Sequence, residues 1–118
     1  MMASSRRGSV ADPVEPHLSP EVARELWCSF VSLLRSYTAA HGLNGTRQAV
    51  LEVSDDHLLV RAVERMLSVR FDGQRGSILR ESGAASDFTM DEHGRLVFDD
   101  QSEEMDMVAE RLAREIMR

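Results

Sequence analysis

The side chains best able to do chemistry here are one cysteine, four histidines and a dense run of acids. Cys28 sits between Trp27 and Ser29. A nucleophilic cysteine needs its pKa lowered by a nearby histidine or a helix N-terminus. Cys28 falls well inside a predicted helix with no base supplied, so it reads as a structural thiol. His17, His41, His57 and His93 are scattered, and none has another histidine or the cysteine at the close spacing of a zinc motif. They read as solvent-facing turn and helix-end residues, although two turns on one edge could bring His57 and His93 together.

The acids crowd the last third, across Asp87, Asp91, Glu92, Asp99, Asp100, Glu103, Glu104 and Asp106. Hard divalent cations want several carboxylate oxygens. Asp91, His93, Asp99, Asp100 and Glu103 are the residues that would hold one, in a weak, open site near a helix start. The order of an EF-hand loop is missing, and attraction between acids and a helix N-terminus explains the cluster more simply.

The composition also excludes lysine chemistry and argues against nucleic-acid binding, with only the outward arginines in its favour. All 14 basic residues are arginine and lysine is absent, which removes Schiff-base chemistry and the phosphate-loop lysine. Gly73 and Gly76 punctuate a hairpin rather than a strand-to-helix phosphate loop, and no catalytic serine motif occurs. Phe30, Phe71, Phe88 and Phe98 all fall on predicted core faces, which leaves no stacking platform for single-stranded nucleic acid. With 20 acids and a net charge of −6, phosphate neutralisation is not favoured either. No cofactor is implied and no enzyme is expected.

The elements that must position these residues follow from periodicity. Residues 1–18, with Pro13, Pro16 and little to bury, read as a flexible arm, and 19–118 as a single α+β domain. Ser19-Pro20-Glu21 starts a helix: serine caps, proline suits the first turn and glutamate favours the positive end of the dipole. Val22, Leu26, Phe30, Leu33 and Tyr37 recur at helical spacing, and Trp27, Val31 and Leu34 widen that stripe. His41-Gly42 ends the helix, and Asn44-Gly45-Thr46 is a turn.

Short alternating runs follow, separated by Ser54-Asp55-Asp56-His57, Asp72-Gly73-Gln74-Arg75-Gly76 and Asp91-Glu92-His93-Gly94. They predict a meander of five to six antiparallel strands. The stretch 56–67 also fits a helix, but β-branched runs on both sides favour strands. A second helix follows Asp99-Asp100, where Asp100 and Glu103 resemble a capping box. Met105, Val108, Leu112 and Ile116 form its apolar stripe, and Met107 falls off it.

The fold expected is a two-layer sandwich: an N-terminal helix, the meander and a C-terminal helix, both helices on one sheet face. If Leu67, Val69 and Phe71 point at the helices, Arg70 points away, as does Arg61. The helix-free face is then arginine-bearing. Residues 1–80 carry ten arginines and nine acids, and 81–118 carry four arginines and eleven acids. The negative charge therefore lies wholly in the last third.

In length, acidity, helix–meander–helix order and an uncovered sheet face, the chain resembles the small acidic chaperones of bacterial protein-secretion systems. Less closely it resembles the frataxins, whose acidity would lie near the first helix and strand rather than at the far end. The function expected is a noncatalytic protein-interaction module, chaperone- or adaptor-like, acting as a homodimer with an unidentified protein partner. Trp27, Arg61, Arg70 and Met107 are the candidate partner-binding residues. A small-ligand or divalent-metal domain is the alternative. No apolar run follows the N-terminal arginines and none approaches membrane-spanning length, so a cytoplasmic protein free of the membrane is expected.

Overall fold

The structure, a computed structural model, describes residues 18–42, 49–62, 64–99 and 101–117. Of the expected arm it describes only Leu18, and His17, the Asn44-Gly45-Thr46 turn and Asp100 lie outside the described residues. The order is α1 (Pro20–Gly42), then β1 (Val50–Val53), β2 (His57–Ala62), β3 (Arg65–Phe71) and β4 (Arg75–Arg80). There follow β5 (Ala85–Met90), β6 (Leu96–Phe98), β7 (Gln101–Glu103) and α2 (Met105–Met117). The strands form one antiparallel sheet in chain order, β1 at one edge and β7 at the other. The α+β sandwich is as expected, with seven strands rather than five or six, and within 56–67 the described residues His57–Ala62 and Arg65–Leu67 are strand rather than helix.

The additional strand, β7, displaces the expected start of the second helix. Asp99 turns the chain with a φ of 51°, and Gln101–Glu103 pair back onto β6. Glu103 is therefore a strand residue, ion-paired with Arg111, and not the third residue of a capping box. The helix begins one residue past Glu104, whose carbonyl accepts the Val108 N–H at 3.1 Å.

Antiparallel register puts directly opposed residues on one face. Leu58, Val60, Leu67, Val69 and Ile78 face the helices and are fully buried. In α1 the buried face is Ala23, Trp27, Phe30, Val31, Leu34 and Thr38. This is a rotation from the stripe read in the sequence, since Val22 is exposed and Leu26, Leu33 and Tyr37 are only partly buried. The wide stripe has a plain cause: α1 packs on the sheet and on α2 together. Tyr37 donates to Asp106 of α2 at 2.6 Å, and that neighbouring carboxylate raises the phenol's pKa.

A run of aromatic rings ties α1 to the sheet. Trp27 stacks on Phe71 at 6.2 Å, and Phe71 on Phe88 at 6.1 Å with the planes 11° apart. Gly76 makes the second contact possible. It lies opposite Phe71 on β3 and Phe88 on β5, so it occupies the row between the two rings without filling it. A Cβ there would strike the Phe88 ring and lie 2.6 Å from the Arg70 carbonyl oxygen.

Gly76→Ala is expected to destabilise the fold by about 1–3 kcal/mol through overpacking. Phe30→Ala should cost about 3–5 kcal/mol by opening a cavity under α1. Urea denaturation checks both, and an unchanged midpoint for Gly76→Ala would contradict this account of the stack.

Candidate functional site

At the end of the sheet where β1 turns into β2 and β3 into β4, the N-terminal half of α1 leaves a groove of about 650 Å³. Its apolar surface comes from Trp27 and Val31 of α1, Val53 of β1 and Phe71 of β3. Chain topology sets this placement, because alternate hairpins of a meander share an end and bring the 54–56 and 72–74 turns side by side. Trp27 is pinned there by two contacts, its stack on Phe71 and a 3.1 Å hydrogen bond from Nε1 to the Ser54 carbonyl oxygen. Val53 faces the helix layer opposite Leu58. Leu58 is fully buried while Val53 is 43% exposed, so the helix layer covers β2 and leaves the flank of β1 open.

The groove is rimmed by Asp55, Asp56 and Asp72, with Arg24 as a cation among its lining. Asp72 is built into its turn. Its carboxylate accepts the backbone N–H groups of Arg75 at 2.8 Å and Gln74 at 2.9 Å. These bonds, that of Arg75 foremost, hold its pKa below the usual carboxylate value. Gly73 supplies the left-handed residue of the same turn, with φ 104°. Cys28 is exposed and also lines the groove.

The residues singled out in the sequence do not meet. Trp27 lies in the groove and Met107 is 62% exposed on α2. Arg61 and Arg70 are exposed on the helix-free sheet face as expected, but Arg61 is tied to Glu52 at 2.8 Å. Arg70 stands opposite His57, whose ring is 2.8 Å from the Ser68 hydroxyl. The sequence singled out Trp27 but missed Val53, Asp55, Asp56 and Asp72 as site residues. The two turns were legible one at a time, and their shared end follows only once the strands pair in order.

The candidate metal ligands are engaged separately. Asp91 caps the β5–β6 turn, accepting the N–H groups of His93 and Arg95, each at 2.9 Å. The His93 ring lies 3.8 Å from Glu92 with both side chains mostly exposed. Asp99 sits in the β6–β7 turn, Glu103 pairs with Arg111, and Asp100 lies outside the described residues. Among the described residues, no three of His, Cys, Asp or Glu are placed to hold a metal ion. His57 and His93 share an end of the sheet but are separated by at least three strand spacings of roughly 4.8 Å. No described helix is long and apolar enough to cross a membrane.

Comparison with known proteins gives no matching family model, no matching curated protein and no matching solved structure.

Acid should loosen this end of the sheet. With the folded pKa of Asp72 lowered, its stabilisation is present above the unfolded value of about 3.9. It is lost as pH falls through the folded value, because the unfolded chain then binds the proton more readily. Asp72→Asn keeps an acceptor but cannot titrate, so its melting temperature should fall less steeply below about pH 4. Thermal melts across that range check it, and an acid limb that superimposes on the wild type would contradict it.

Proposed function

We propose that this chain is a protein-binding module of adaptor or chaperone type, and that its binding surface is the acidic-rimmed groove beside β1. One observation carries the reading: a concavity of about 650 Å³ in which the half-exposed Val53 stands beside the largely buried Trp27, Val31 and Phe71. Rigidly held aromatic side chains are the anchors on which binding energy concentrates. Trp27 is held rigidly by its ring stack and its indole hydrogen bond, with only an edge of its ring left at the groove. The homodimer expected from the wide stripe of α1 loses that support, because Trp27, Val31 and Leu34 are buried within one chain. The placement of the acidic side chains does not favour the metal-binding alternative.

Trp27 is the one tryptophan, so its emission reports on the groove. Panning a random peptide-display library against the full chain should enrich binders that shift this emission. Val53→Arg, an exposed substitution, should weaken them by about tenfold or more. Absence of enrichment, or binders indifferent to Val53→Arg, overturns the reading.

A further inference from the structure

The groove is continuous with an unused sheet edge, and the phase of the backbone makes the two a single surface. The Ser54 N–H donates to the His57 carbonyl oxygen at 2.8 Å, closing the β1–β2 hairpin. In an antiparallel pair, residues alternate between bonding inward to the partner strand and pointing their N–H and C=O outward. Counting back from Ser54, Glu52 and Val50 bond toward β2, and Val53 and Leu51 direct their backbone groups to the open edge. Val53 and Leu51 are also the residues whose side chains face the helix layer, opposite Leu58 and Val60. Among the described residues β1 pairs only with β2. The edge strand Val50-Leu51-Glu52-Val53 is short, but it contains no proline or lysine. Its one charge, Glu52, is held by Arg61 on the opposite face.

We infer that the occupant is an extended peptide segment, basic at the end that lies beside the β1–β2 turn, that adds as a further strand to β1. This rests on the groove being a protein-binding site and names what binds there. A strand bonded to Leu51 and Val53 sends its opposing side chains to the helix side, beside Val53 and over Trp27 and Val31. Apolar side chains fit those positions. The end of the segment beside the β1–β2 turn meets Asp55, Asp56 and Asp72, three acids against the single Arg24. Among the described residues neither Asp55 nor Asp56 is held in an ion pair, so arginine or lysine at that end of the segment finds unneutralised charge. A helical occupant would fill the floor but leave the outward N–H and C=O groups of β1 to water, which makes a strand the better match.

The probe is a fluorescein-labelled peptide of alternating valine and threonine flanked by arginines, compared with a counterpart flanked by glutamates. Against the full chain at low salt, the arginine form is expected to bind about tenfold or more tightly. Added salt, or Asp55→Asn combined with Asp56→Asn, should narrow that preference. Amide exchange read by NMR should slow at Leu51 and Val53 when the arginine peptide is bound. Equal binding of the two peptides overturns the inference, as does tight binding that leaves exchange at Leu51 and Val53 unchanged. Amides protected in the free chain also overturn it, with the occupant then another segment of the chain. If that protection depends on concentration, the occupant is a second copy. Should the inference fail while panned peptides remain sensitive to Val53→Arg, the protein-binding reading stands. Indifference to Val53→Arg removes both.

Discussion

A seven-stranded sheet with two helices can bury only one face, and here one side chain fixes how that face is covered. Trp27 stacks on Phe71 and donates its indole N–H to the Ser54 carbonyl, so α1 is fastened at once to β3 and to the β1–β2 hairpin. The stack continues to Phe88 only because Gly76 leaves the row between the rings empty. Once α1 is held there, its remaining apolar surface is shared between the sheet and α2. The flank of β1 is then the part of the helix side left open. The groove is thus a consequence of where the helix is anchored, and its aromatic floor is the same residue that does the anchoring.

Charge is distributed in a way that leaves the groove distinct. Several of the C-terminal acids are drawn apart by ion pairs with separate arginines. Glu103 pairs with Arg111, Glu104 with Arg95 at 3.0 Å, and Glu115 with Arg80 at 2.6 Å. Pairs at such exposure contribute little each, roughly 0–1 kcal/mol, but they spread the acidic third along α2 and its neighbours. The Glu110 carboxylate, bonded by Arg114 and with His41 nearby, is held below its ordinary pKa. Asp55 and Asp56 belong to the nearly neutral first part of the sequence, yet they make the more concentrated negative rim because two turns meet at one end of the sheet.

Much of the fold was legible because local patterns agree with it. Alternation through Leu67, Val69 and Phe71 marked β3, the serine-proline start marked α1, and the stripe from Met105 to Ile116 marked α2. What failed did so where two local signals competed. Asp100 and Glu103 matched a helix cap, but Gln101–Glu103 gain hydrogen bonds by pairing with β6, which moves the helix start to Met105. Val22 and Leu33 matched the helical period of α1, yet the buried face is set by two neighbours at an angle, which periodicity along one helix does not specify.

By itself the sequence determined the layers, the element order, the absence of lysine chemistry and the two sides of the sheet, because each depends on interactions between residues close in the chain. Tertiary structure alone decided which turns share an end, which strand lies at the edge, and which apolar side chains remain uncovered. Those depend on the pairing of strands and on the place where one tryptophan meets one phenylalanine, separated in sequence by most of a helix and nearly three strands. The histidines, cysteine and acids that looked most chemical are dispersed by that geometry. Val53 and two aspartates in a turn, individually ordinary, are brought together by it.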